Sequence, residues 1–289
     1  MPLLYILILA VVQGLAELLP VSSSAHVVVT EKLLGLDPSS PPMTLLLVML
    51  HTGTMFAVIV YFWRQWQVTY FQNIAAFKKF AGFVALATAL TGLIGEAIIT
   101  TIERTFFRGV PHAEIEDLFS HLELIAPALA FAGILILVAG VVEKRKSTKS
   151  LTIGKDLVAG EAGIIGAVQG LCLPFRGFSR SGATISVGML LGVGKARAEM
   201  FSFALAVVLT PIVVAREVMR VVHAEHGSGG ATFSAAVLPS LLGAVLAFLA
   251  GLLALKWLSQ WLESGRWYLF GVYCLIAAVG VGYLHHLGY

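Results

Sequence analysis

Charge is what this 289-residue sequence has least of: Asp, Glu, Lys and Arg make up 12% of it, about half the share usual in soluble globular domains. Together with 58% apolar residues and a mean hydropathy of +0.90, that scarcity excludes a soluble globular domain and predicts an integral membrane protein. Cysteine is nearly absent. The two present, Cys172 and Cys274, lie in apolar context, so buried free thiols are expected rather than a disulfide, and no redox compartment follows. Missing too are a basic flank before the first apolar run and a small-residue cleavage site after it, so no removed signal peptide is expected. The formal net charge of +3 says little, because in a membrane protein the location of Lys and Arg matters more than their sum.

Against this background a repeat is present. Val12 to His26 reads V-Q-G-L-A-E-L-L-P-V-S-S-S-A-H, and Val168 to Thr184 reads V-Q-G-L-C-L-P-F-R-G-F-S-R-S-G-A-T. In each copy a hydrophobic run reaches Gln-Gly-Leu, is broken by Pro20 or Pro174, passes a polar Ser cluster and resumes as an apolar segment ending Leu-Leu-Gly. The offset is nearly constant: 156 residues from Gln13 to Gln169, and 157 from Ser22 to Ser179 and from Gly35 to Gly192. Paired interruptions in corresponding places of two halves point to a site near the bilayer midplane. One membrane domain over residues 1–289 is expected, with a first inverted repeat at 1–143 and a second at 155–289.

Residues 2–19 are apolar, yet Glu17 and Pro20 stand at their far end and three serines follow at once. A spanning helix needs about 20 apolar residues, and non-helical backbone persists at membrane depth only inside protein or against a watery cavity. The pattern predicts a re-entrant helical hairpin over residues 2–35 with its tip at Pro20 to Ser24, and a second over about 157–192. Full spans are expected near 43–63, 77–101, 124–142, 199–222, 233–256 and 267–285, with a polar segment from Glu103 to Glu123 and a basic linker from Glu143 to Lys155. The fold class is therefore all-α, a polytopic membrane protein with six transmembrane helices plus two re-entrant hairpins. Sorting the 19 Lys and Arg puts twelve on one face, around Lys78, Lys144 and Lys195, five on the other, and two, Arg176 and Arg180, in the second tip. The positive-inside rule makes the twelve-residue face cytoplasmic, with both termini and the 103–123 loop outside. Three spans per half is an odd number, so the halves are inverted and their hairpin tips can meet.

The tips carry the chemistry. Glu17 lies four residues after Gln13, on the same helix face, and a carboxylate at a membrane helix centre costs about 2.5–3.5 kcal/mol on insertion scales, so something must compensate it. His26 follows three serines and a proline. The clusters Ser22 to Ser24 and Ser179 to Ser181 precede resumed helices, where N-capping is their simplest role and is expected of one serine in each. Helix N-termini also attract anions, and Arg180 adds a planar, permanently charged fork suited to phosphate oxygens. Gly177 and Gly182 let backbone approach closely. An Arg at membrane depth among hydroxyls, opposite a hairpin that supplies Glu, Ser and His, points to phosphate handling.

With these motifs the sequence resembles the bacterial undecaprenyl-diphosphate phosphatases associated with bacitracin resistance. The first likeness is Q-G-x-x-E-x-x-P-V-S-S-S-x-H at Gln13 to His26 and the second is G-x-S-R-S-G-A-T at Gly177 to Thr184. Weaker likeness continues through L-H-T-G-T at Leu50 to Thr54, F-S-F at Phe201 to Phe203 and the last two spans. The resemblance implies a membrane enzyme that removes the terminal phosphate of undecaprenyl diphosphate and so regenerates the lipid carrier for cell-wall precursors. It implicates Gln13, where many members have Glu, with Glu17, Ser22, Ser23, His26, Ser179, Arg180, Ser181 and Thr184. Two departures stand out: Ala25 where Gly is usual, and Arg176 where Pro usually precedes Gly177, which adds a second cation to the tip.

The expected site therefore has Ser23 as nucleophile and His26 as its general base or as the nucleophile itself. Arg180 would bind the phosphoryl group with Ser22, Ser179, Ser181, Thr184 and Arg176. Glu17 and Gln13 would position a hard divalent cation, Mg²⁺ or Ca²⁺, with the diphosphate completing the shell. The expected partners are a polyprenyl diphosphate and membrane lipids, without nucleic acid, and a homodimer is compatible with the sequence. The rival reading is a transporter or lipid flippase, because inverted repeats with broken helices are chiefly a transporter architecture.

Overall fold

The structure, a computed structural model, describes residues 2–37, 40–106, 122–149, 155–225 and 231–288. Among these residues ten helices follow one another: α1 Leu3–Leu18, α2 Ser23–Leu34, α3 Pro41–Tyr70, α4 Ile74–Phe106, α5 Leu122–Lys149, α6 Ala159–Cys172, α7 Arg180–Leu190, α8 Lys195–Glu225, α9 Ala231–Glu263 and α10 Tyr268–His286. The chain is an all-α, multi-pass membrane protein. Among the described residues, five helices are long and apolar enough to cross a bilayer, at Pro42–Tyr70, Ile74–Thr105, Leu122–Arg145, Val237–Glu263 and Tyr268–His286. The span expected near 199–222 falls on α8, 31 residues long, which is not among these five. The four helices of the repeated motifs are short. At 16, 12, 14 and 11 residues and about 1.5 Å per residue, each falls well below the roughly 30 Å of a hydrocarbon core.

Both motif pairs end alike. Gly35 closes α2 in the left-handed region at φ 65°, its N–H donating to the carbonyls of Glu31 and Lys32, and Gly192 stands just past α7 at φ 90°. The long helices outrun the expected spans. α3 continues through Arg64, Gln65 and Gln67 to Tyr70, and α5 runs through Glu143, Lys144 and Arg145 to Lys149, so the basic linker expected from Glu143 begins as helix. These residues are good helix formers, and leaving the membrane does not end a helix that has water to solvate its side chains. Most of the polar segment expected at 103–123 lies outside the described residues.

Packing interlocks the two halves. The first hairpin helix, α1, lies mainly on α9 of the second half, and α6 lies on α4 of the first. The closest long-helix pairs, α3 with α9 and α5 with α10, also cross between halves. Small residues allow it. A Cβ at Gly166 would stand 2.3 Å from the Ala87 carbonyl oxygen on α4, and one at Gly53 would stand 2.1 Å from that of Ala244 on α9. A continuous core including Leu18, Phe62, Ile136, Ile185, Phe203 and Trp267 fills the space between.

Candidate active site

Proline decides where α1 stops. Pro20 has no N–H, and its ring drives the residue before it out of the helical region; Leu19 is accordingly extended at φ −74°, ψ 150°. Ser22 then adopts φ 68°, ψ 94° and is the one non-glycine residue with positive φ among those described. Such a conformation costs about 1–3 kcal/mol and persists where the surroundings over-determine it. It reverses the chain so that α2 starts at Ser23 and packs on α1. In the second tip Gly177 takes φ 98°, where a Cβ would lie 2.6 Å from the Ile125 carbonyl oxygen. Ser179 is a true N-cap, its hydroxyl accepting from the Gly182 N–H at 3.2 Å. Ser22 holds the corresponding place before α2 but makes no side-chain cap bond.

The tips meet. The Gly177 N–H donates to the Ser24 hydroxyl at 3.3 Å, which lies 3.2 Å from that of Ser22. The Ser181 hydroxyl donates to the Leu19 carbonyl at 3.5 Å, and the Cys274 thiol on α10 donates to the Pro20 carbonyl at 3.4 Å. Both cysteines are free and buried.

At this junction Glu17 is the hub. Its Oε1 accepts from the Arg180 guanidinium at 2.9 Å. Its Oε2 accepts from the Ser23 hydroxyl at 2.5 Å and from the Gln13 amide at 3.1 Å. Nε2 of His51, on α3, lies 3.7 Å from the same oxygen. The carboxylate keeps 15% of its side-chain surface and Arg180 keeps 23%, so the pair is largely removed from water. Loss of one partner from such a pair leaves an uncompensated charge and costs about 3–5 kcal/mol. The compensation that Glu17 requires thus comes from the other hairpin.

His26 is held differently from the expectation. Nδ1 lies 2.8 Å from the Ser22 carbonyl oxygen, which only accepts, so Nδ1 carries the hydrogen. Nε2 lies 2.7 Å from the Tyr273 hydroxyl on α10, and the two rings stack at 5.7 Å. Both ring nitrogens are therefore engaged, and the Ser23 hydroxyl donates its hydrogen bond to Glu17 rather than to His26. Thr184, expected on phosphate, is fully buried; its hydroxyl donates to the Arg180 carbonyl at 2.8 Å and lies 2.6 Å from that of Ser202 on α8. Arg176 is exposed at the second tip, within electrostatic reach of the buried Glu31 on α2. The structure thus joins Gln13, Glu17, Ser23 and Arg180 directly, sets Ser22, Ser181 and His26 beside them as supports of the turn, and turns Thr184 into a helix contact.

The second repeat shows why there is one acidic hub. Four residues after Gln169 stands Leu173 where Gln13 is followed by Glu17, and the Gln169 amide donates instead to Thr91 at 3.2 Å. Residues Gln13 and Glu17 do not fit a cation held by protein alone. Both Glu17 oxygens are engaged by protein donors, the amide nitrogen of Gln13 faces it, and no group of three His, Cys, Asp or Glu is gathered for a metal among the described residues. Two members of the junction escaped sequence reasoning. Tyr273 is 247 residues from His26, and no local pattern marks it. His51 lies within the L-H-T-G-T likeness, where a His on an otherwise apolar helix was the available signal.

Comparison with known proteins gives a match to the family model described as bacitracin resistance protein BacA over residues 6–280. The chain is 59% identical over 278 residues to undecaprenyl-diphosphatase 2 of Acinetobacter baylyi, covering 95% of each chain. It is 33% identical over 278 residues to the undecaprenyl-diphosphatase of Desulfosudis oleivorans, covering 93% of each. Against that of Rhodopirellula baltica the figures are 31% over 278 residues and 96% of each.

Proposed function

The chain belongs to the bacitracin resistance protein BacA family, and from that premise we infer that it is an undecaprenyl-diphosphatase. It hydrolyses undecaprenyl diphosphate to undecaprenyl phosphate and inorganic phosphate, recycling the lipid carrier for cell-wall precursor synthesis. The observation that supports the chemistry best is the chain of contacts from the Ser23 hydroxyl through Glu17 to Arg180.

Our reading of the reaction starts with the Ser23 oxygen attacking the terminal phosphorus while its proton passes to Glu17 Oε2, the acceptor it already faces. The bond from that phosphorus to the bridging oxygen breaks, and its electron pair stays on undecaprenyl phosphate. Water then attacks the phosphoserine, releasing phosphate and returning the Ser23 hydroxyl. Arg180 has five N–H donors and uses one group on Glu17, so the rest of its fork is available to the phosphoryl oxygens. The uncapped start of α2 adds first-turn N–H groups aimed at an anion. His26 and Ser22 hold the strained turn that presents Ser23. A divalent cation, Mg²⁺ or Ca²⁺, would enter with the diphosphate as its counter-ion rather than sit on Glu17 and Gln13 beforehand.

For the membrane arrangement we propose six spans and two re-entrant hairpins in two inverted repeats, with α8 as the sixth span. Both termini and the site would open on the periplasmic or extracellular side. The short motif helices, their matching ends and the exchange of α1 and α6 between halves support the paired hairpins, and the twelve-to-five division of Lys and Arg supports the orientation. Purified protein in detergent micelles, where no second compartment exists, should release phosphate from undecaprenyl diphosphate. Absence of release there, with lipid movement in sealed vesicles, would favour the transporter reading instead.

A further inference from the structure

Proton stoichiometry leaves a step without a residue. With both phosphates released as dianions, hydrolysis of one diphosphate trianion by one water liberates one proton. The attack of Ser23 puts a proton on Glu17, a side chain with 15% of its surface exposed; the water step returns one proton to Ser23 and leaves one to be exported. Of the four side chains around Glu17, Arg180 stays charged, and the Ser23 hydroxyl and Gln13 amide do not take up protons near neutral pH. His51 does. Its Nδ1 lies 2.8 Å from the Leu47 carbonyl oxygen, which only accepts, so the neutral ring has its hydrogen on Nδ1 and a lone pair on Nε2, the atom 3.7 Å from Glu17 Oε2. The ring keeps 42% of its side-chain surface exposed, against 15% for Glu17, so it is the less enclosed of the two groups. Its helix is fixed in place, since Gly53 lies against the Ala244 backbone of α9.

We propose that His51 is the proton exit of this site: it takes the proton from Glu17 Oε2 onto Nε2 as imidazolium and passes it from the exposed side of the ring to solvent. The separation of 3.7 Å is longer than a hydrogen bond, as acid–base contacts often are before substrate tightens them. The inference rests on the Ser23–Glu17 reading of the reaction. His51 acts through Glu17 and is a positioning and relay residue, not one that touches the reacting phosphorus.

The test compares the parent protein with His51→Ala and His51→Gln in detergent, measuring kcat and KM for undecaprenyl diphosphate; the Gln variant keeps a donor of similar reach to the Leu47 carbonyl. The expected result is kcat lowered by about 10²-fold in both variants, with KM changed by less than about twofold, and kcat of the Ala variant restored severalfold by added imidazole. Unchanged kcat in either variant, or a loss in His51→Ala that imidazole does not restore, would overturn the proposal while phosphate release by the parent still stood. No release by the parent would overturn the hydrolase reading as well.

Discussion

Glu17 gathers an amide, a hydroxyl, a guanidinium and an imidazole around one carboxylate, and variants of its partners test each role. Arg180→Lys keeps the charge but loses the planar fork. One charged hydrogen bond lost is about 1.5–3 kcal/mol, so turnover should fall about ten- to hundredfold; steady-state phosphate release checks it, and a rate near that of the parent would remove Arg180 from the phosphate. Ser22 offers an independent reading of the turn. If its positive φ is strained, Ser22→Gly should raise thermal stability in detergent by up to about 1–3 kcal/mol, while Ser22→Ala, which keeps the strain, should not. At this scale the sequence disclosed the carboxylate, the hydroxyls and Arg180, because each is a polar group where polarity is costly. It could not disclose which serine oxygen faces Glu17, nor that Thr184 turns toward Ser202, because those depend on the rotation of α2 and α7 against helices far away in the chain.

Among the elements, the two hairpins were legible from Pro20, Pro174 and the glycines that follow, and their ends fall within a few residues of expectation. Helix lengths at the membrane surface were not, because hydropathy changes where the bilayer ends and the helix of α3 or α5 does not. Close helix contact is a matter of backbone, and α6 tests it within one element. Gly166→Ala would force its Cβ against the Ala87 backbone and should destabilise by about 1–3 kcal/mol, as overpacking does. Gly160→Ala on the same helix meets nothing within 4 Å and should be neutral or stabilising by about 0.5–1 kcal/mol. Thermal unfolding of both variants in one detergent separates them, and equal behaviour would contradict the α4–α6 packing.

For the whole molecule, the exchange of α1 and α6 between halves makes the site a product of both repeats, with Glu17 and Ser23 from one and Arg180 from the other. The proposed inverted arrangement can be read by labelling. In a background without Cys172 and Cys274, a cysteine at Asn73, in the turn after α3, should react with an impermeant reagent only from the cytoplasmic side, and one at Leu287 only from outside. Same-side labelling would refute the inversion. That the hairpins form one hydrolytic centre is tested most directly by Ser23→Ala, assayed for binding of undecaprenyl diphosphate and for single-turnover phosphate release. The account predicts that binding through Arg180 is retained while release in the chemical step is abolished. Release at the parent rate by this variant would contradict it.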